Sequence, residues 1–123
     1  MMTAIRTYSE VLMHLDDKPR SYSEGQVIFE DCEPASEMYI VRQGTVTLKK
    51  GDRAFETLGP GEVFGEMALI DPAPRSATAV AGPDCLLAVV DETIFGRVVR
   101  QVPGFALELA RLMARRLRKD LTR

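Results

Sequence analysis

Gly59-Pro-Gly-Glu-Val-Phe-Gly-Glu-Met-Ala-Leu-Ile-Asp-Pro-Ala-Pro-Arg-Ser-Ala-Thr-Ala79 is the stretch on which the reading of this chain turns. It gathers glycine turns, a lone carboxylate, a short helix-competent segment and a proline-flanked arginine. Gly65 carries no side chain, so the backbone there can approach a ligand closely. Glu66-Met-Ala-Leu-Ile70 has the composition of one or two helical turns, whose orphan N–H groups and dipole favour an anion. Arg75 follows a turn set by Pro72 and Pro74, which lets its guanidinium return to the same place from the other side. Its fork of fixed N–H donors matches two phosphate oxygens. Glu66 repels that phosphate but can accept a hydrogen bond from a sugar hydroxyl beside it. Phosphate and sugar together point to a nucleotide.

Phe64-Gly65-Glu66-Met67-Ala68-Leu69, followed by Pro74-Arg75-Ser76-Ala77-Thr78, resembles the phosphate-binding cassette of cyclic nucleotide-binding domains. That family includes bacterial catabolite activator proteins, regulatory subunits of protein kinase A and cyclic nucleotide-gated channels. The resemblance implies a ligand site made of Phe64, Gly65, Glu66, Met67, Ala68, Arg75, Ser76 and Ala77. Within it Glu66 takes the ribose 2′-hydroxyl and Arg75 the cyclic phosphate. Backbone N–H groups around Ala68 and Ser76 complete the cradle, and Leu69 latches onto a hinge helix near Phe95. A serine at position 76 resembles the bacterial cAMP receptors, so the expected ligand is cAMP, with cGMP as the alternative. No cofactor, catalytic residue or metal site is expected. A side chain of the last helix, or of a partner's helix, is expected to cover the base, with Leu109, Met113, Arg116 and Leu117 as the candidates.

The chain of 123 residues has the length of one domain, expected to span residues 1–123. Its 46% apolar and 28% charged residues are those of an ordinary globular protein, and a net charge of −2 gives no general pull towards nucleic acid. The first residues lack the apolar centre of a signal peptide, and no run approaches membrane-spanning length. Cys32 and Cys85 are too few and too far apart for a disulfide framework or a zinc site, and read as reduced thiols of a cytoplasmic protein.

Ile5, Tyr8, Val11, Leu12 and Leu15 recur at helical spacing and predict a helix from about Thr3 to Leu15. His14, the only histidine, reads as a surface residue near the end of that helix. Between Arg20 and Asp91 turn signals arrive every 8–10 residues or so. They separate the β-forming runs Gln26–Glu30, Met38–Arg42, Thr45–Lys50, Arg53–Leu58, Ser76–Ala81 and Leu86–Asp91, as in an antiparallel sandwich or barrel. Asp91 or Thr93 can cap a helix carrying Ile94, Phe95, Val98 and Val99, which Pro103-Gly104 breaks. A last helix from about Phe105 to Leu121 places Leu109, Leu112, Met113, Leu117 and Leu121 on an apolar stripe, opposite a basic face. The predicted fold class is mainly β with flanking helices: an antiparallel β-roll or jelly roll with an N-terminal helix, a short cassette helix and two C-terminal helices.

The function expected is a cyclic nucleotide sensor that signals by moving its C-terminal helices. No kinase, channel or DNA-binding motif is apparent, so the partner is an unknown effector or a second copy in a homodimer formed through the last helix. A metal-dependent cupin enzyme is disfavoured by a single histidine outside the β region. An interaction module that has kept the fold but lost the nucleotide is a third class, opposed by the presence of both Glu66 and Arg75. The excised regulatory domain of a channel or transcription regulator is a fourth, and the Met1 start favours a complete small protein over it.

Overall fold

A computed structural model describes residues 7–15, 18–71 and 73–121. The elements are α1 (Tyr8–Leu12), β1 (Arg20–Tyr22), β2 (Val27–Phe29), β3 (Glu37–Gln43), β4 (Val46–Lys50), β5 (Arg53–Leu58), β6 (Val63–Phe64), α2 (Met67–Ile70), β7 (Thr78–Ala81), β8 (Cys85–Asp91), α3 (Glu92–Gln101) and α4 (Phe105–Leu121). The eight strands form two four-stranded sheets with orders β1-β8-β3-β6 and β2-β7-β4-β5, antiparallel throughout. This is the expected roll with flanking helices. Ile5 and the start of the predicted first helix lie outside the described residues.

Two apolar clusters explain the strand patterns. The inner one, between the sheets, holds Phe29, Tyr39, Val41, Val46, Leu48, Leu58, Phe64, Ala79, Ala81, Cys85 and Leu87. The outer one packs Met38, Ile40, Val63, Ala88 and Val90 from the first sheet against Val11 of α1, Val98 of α3, Val102, and Phe105, Leu109 and Leu112 of α4. Successive side chains of a strand point to opposite faces. β3 therefore sends Tyr39 and Val41 inwards and Met38 and Ile40 to the helices, and reads as a solid apolar run because both faces are covered. β4 buries only Val46 and Leu48, and keeps the alternation visible in its sequence.

Two strands had no sequence signal of their own. β1 is polar and largely exposed, and exists as a strand through its pairing with β8, Arg20 opposite Leu87. β6 has two residues, too few for any period, and is fixed by Tyr39 opposite Phe64 and Ile40 opposite Val63. That pairing anchors the start of the cassette to the middle of the roll.

The helix ends follow local chemistry. Asp91 caps α3, its Oδ1 accepting from the Ile94 N–H at 2.9 Å. α4 runs from Phe105 to Leu121 as expected, but its apolar stripe is corrected. Leu109 and Leu112 are fully buried and Met113 partly so, whereas Leu117 is 62% exposed. Residues spaced by 3, 4 and 7 share a helix face, so the stripe begun at Leu109 continues at Arg116 rather than Leu117. The first and last helices are joined where the Thr7 N–H and hydroxyl both donate to Glu108 of α4, at 3.1 and 2.6 Å. The His14 carbonyl accepts from Arg97 of α3 at 2.7 Å.

Candidate functional site

The chain leaves β6 at Phe64, turns at Gly65 and enters α2 with Glu66 as its N-cap residue. Gly65 has φ +74°, and a Cβ there would stand 2.7 Å from Arg75 Nη1. The left-handed backbone calls for glycine, and any Cβ there would force the guanidinium to shift. α2 is one turn of four residues, shorter than a helix with a substantial dipole. Its early donors are already engaged: the Ala68 N–H donates to Gly65 O at 3.3 Å and the Leu69 N–H to Glu66 O at 3.1 Å. The anion-binding helix start expected around Ala68 is reduced accordingly.

Arg75 is 7% exposed, and its guanidinium has come back to the Gly65 turn as its flanking prolines suggested. Nη1 donates to Gly65 O at 3.1 Å and Nη2 to Glu37 O at 2.7 Å. The cation lies over the Phe29 ring, 4.1 Å from its centroid, and 5.6 Å from that of Tyr39. Phe29, Tyr39 and Phe64 form one aromatic floor, with centroids 5.0–6.0 Å apart. A guanidinium on an aromatic face gains electrostatic attraction where water is excluded. Arg75 Nε is buried without a hydrogen-bond partner among the described residues. Such an orphan donor favours an anion brought into reach.

Glu66 is 3% exposed. Its carboxylate does not meet Arg75: it accepts from Arg116 Nη1 of α4, while Arg116 Nη2 donates to Val63 O at 2.6 Å. The two buried charges of the cassette therefore have separate partners, one in the roll and one on the last helix. Tyr39 completes the surroundings of Arg75. Its hydroxyl donates to Glu37 Oε1 at 2.8 Å, and Arg20 Nη1 donates to the same oxygen at 2.9 Å. Burial first, and then the Glu37 bond, push the Tyr39 phenol well above the ordinary tyrosine value.

Among proteins of known type, the family model for the cyclic nucleotide-binding domain matches residues 19–102. This chain belongs to the cyclic nucleotide-binding domain family. The cyclic AMP receptor protein of Thermus thermophilus is 39% identical over 105 residues, covering 81% of this chain and 49% of the receptor. The cAMP-dependent protein kinase regulatory subunit of Eremothecium gossypii is 43% identical over 77 residues, covering 63% of this chain and 17% of the subunit. The crystal structure of the Thermus thermophilus catabolite activator protein superposes with a TM-score of 0.81 at 35% identity, over 96% of this chain and 58% of that one. The chain thus spans about half the length of the Thermus receptor, or less of the kinase subunit. The family is a regulatory nucleotide-binding domain rather than a catalytic one.

In this cyclic nucleotide-binding domain the sequence-marked residues fall into two groups. Gly65, Glu66, Ala68 and Arg75 converge on the Gly65 turn, with Phe64 beneath in the aromatic floor. Met67 is half exposed, and Ser76 is exposed. Ala77 is buried. Leu69 and Phe95 pack on the same outer cluster, where the expected latch would lie. Phe29, Tyr39 and the Glu37 carbonyl were not legible as neighbours of Arg75, because strand pairing over long separations brings them there. The Glu66–Arg116 pair did have a signal: Arg116 stands where the period of α4 calls for an apolar residue. Among the described residues no cluster of His, Cys, Asp and Glu could hold a metal ion, and no helix is long and apolar enough to cross a membrane.

Proposed function

We propose that this domain is a cyclic nucleotide sensor that prefers cAMP to cGMP, with the phosphate on Arg75 and the Ser76–Ala77 backbone and the ribose 2′-hydroxyl on Glu66. The observation that carries this reading is the pair of buried, opposite charges beside one glycine turn: Glu66, next to Gly65 in the chain, at 3% exposure, and Arg75, bonded to the Gly65 carbonyl, at 7%. Buried charges are costly unless something meets them: Arg116 meets Glu66 and two carbonyls meet Arg75, but Arg75 Nε has no partner among the described residues. A ribose joined to a phosphate brings an anion to Arg75 and a hydroxyl to Glu66. The kinship with a cyclic AMP receptor and with a cAMP-dependent kinase regulatory subunit supports cAMP as the nucleotide.

Signal output then follows from connectivity. Arg75 holds the Gly65 carbonyl, Gly65 leads into Glu66, and Glu66 is tied to Arg116 on α4. A ligand that meets both charges changes how well that tie is kept, and so favours one placement of α4 over another. It can do so only by the difference in its affinity for the two. α4 also exposes Leu107 and Leu117, and Ile70, Val99, Ala106 and Met113 help line an apolar groove of about 400 Å³ beside it. An effector chain, or a second copy, receives the signal on this side.

Calorimetry tests the reading. Losing one partner of a desolvated charge contact costs about 2–5 kcal/mol. Arg75→Ala should therefore weaken cAMP by roughly thirty-fold to several thousand-fold, at about 1.4 kcal/mol per tenfold. Arg75→Lys recovers only part, since a point charge lacks the fork. 2′-Deoxy-cAMP should bind the wild type more weakly than cAMP does, and Glu66→Ala should abolish that discrimination. Unchanged cAMP affinity in a folded Arg75→Ala protein overturns the assignment.

A further inference from the structure

Lys50 stands at the end of β4, outside the cassette, and its side chain is mostly exposed. Its ammonium donates to the Ser76 carbonyl at 3.1 Å and to Asp31 Oδ2 at 2.8 Å. The hydrogen bond between them draws the Asp31 carboxyl below the usual carboxylate range and holds Lys50 above the usual lysine value. Asp31 also grips the same segment through its backbone, its N–H donating to Thr78 Oγ1 at 3.0 Å. One residue further, the Cys32 N–H donates to Arg75 O and the Arg75 N–H to Glu33 O, both at 2.8 Å. The turn that makes this possible places Cys32 at φ +70°. The backbone from Arg75 to Thr78 is thus held from one side by residues 31–33 and Lys50.

The consequence follows from peptide geometry. A peptide bond is planar and trans, so a C=O and the N–H that follows it point in opposite directions. Holding the Ser76 carbonyl towards Lys50 turns the Ala77 N–H the other way. Ser76 and Ala77 lie between strands, and among the described residues their N–H groups donate to no loop carbonyl. Ala77 is itself buried, and a buried N–H is nearly always given an acceptor. As a bare charge Lys50 counts for little, because Asp31 offsets it and water screens it.

We propose that Lys50, braced by Asp31, is a positioning residue for the phosphate subsite: by fixing the Ser76 carbonyl it aims the Ala77 N–H at an exocyclic oxygen of the cyclic phosphate. This rests on the cyclic nucleotide reading of the cassette given above. On that reading Arg75 meets the anion directly, whereas Lys50 acts through the Ser76–Ala77 peptide on one phosphate oxygen.

The test compares wild type, Lys50→Met, Lys50→Arg and Asp31→Asn. Calorimetry uses cAMP and its two phosphorothioates, each with sulfur replacing one exocyclic oxygen. The Ser76 and Ala77 amide resonances are recorded without nucleotide. Lys50→Met should weaken cAMP about three- to tenfold, the size of a partly screened hydrogen bond from a charged donor. Lys50→Arg should restore most of it. The loss should nearly vanish for the one phosphorothioate whose sulfur, a poor acceptor, replaces the oxygen that Ala77 reads. The Ala77 amide should shift in free Lys50→Met and much less in Lys50→Arg. Equal losses for all three ligands overturn the proposal, as does tighter binding by Asp31→Asn, which would make Lys50 a bare charge. An Ala77 amide that does not move in Lys50→Met overturns it too. Wild-type protein that binds no cyclic nucleotide overturns the function itself, an outcome distinct from normal wild-type binding with an unaffected Lys50→Met.

Discussion

Arg116→Ala removes the partner of Glu66, and its cost can be worked from the site. Glu66 is 3% exposed and the Arg116 side chain 23% exposed, so the carboxylate is the buried member of the pair. Stripping one partner from a fully buried ion pair costs about 3–5 kcal/mol, because the other charge is left uncompensated. Arg116 reaches solvent at its edge, so its removal lets water approach Glu66 and lowers that figure. The bond to Val63 O is lost as well, worth about 1 kcal/mol. Together these give a destabilisation of about 2–3 kcal/mol. At roughly 4 °C per kcal/mol for a chain of this length, Tm should fall by about 8–12 °C. Scanning calorimetry without nucleotide measures it, alongside Glu66→Gln and the Glu66→Gln/Arg116→Ala double variant. The double variant should be less destabilised than the two single losses added, by about 1–2 kcal/mol, since neither charge is then abandoned. An Arg116→Ala protein that melts within about 2 °C of wild type, or strictly additive losses, would refute the claim that Arg116 neutralises a buried carboxylate. The tie between cassette and last helix would fall with it.

Two further outcomes are expected. Gly65→Ala should lose about 1–3 kcal/mol by chemical denaturation, from a left-handed backbone and a Cβ driven into the Arg75 guanidinium, and should weaken cAMP by displacing that group. Tyr39 has its phenol raised by burial and by Glu37, so the native state keeps a proton that the unfolded chain releases above about pH 10. Stability should therefore fall as pH rises beyond that value. Tyr39→Phe should lose about 1 kcal/mol near neutrality with the Glu37 bond, and show a shallower alkaline decline in denaturant midpoints.

The order of elements was carried by local sequence. Glycine and proline punctuation marked the turns, β4 displayed its alternation, Asp91 and Thr93 were the two caps offered for α3, of which Asp91 serves, and Phe105–Leu121 came out as written. The cassette too was legible, because its chemistry is packed into one short segment: a glycine that must bend, a carboxylate beside it and an arginine that returns. What tertiary structure alone decided is where those charges find their partners. Arg75 rests on Phe29 and reaches the Glu37 carbonyl, residues 46 and 38 positions away in the chain, brought close by antiparallel pairing. β1 and β6 exist because β8 and β3 offer them an edge, not because three polar residues or two apolar ones have a period. On α4 the sequence gives the spacing but not the origin of the buried face. Packing against the roll sets that origin at Leu109 and Leu112, which turns Leu117 to solvent and Arg116 inward to Glu66. A helix can bury only the residues on the side its neighbours cover, and a sequence does not say by itself which side that is.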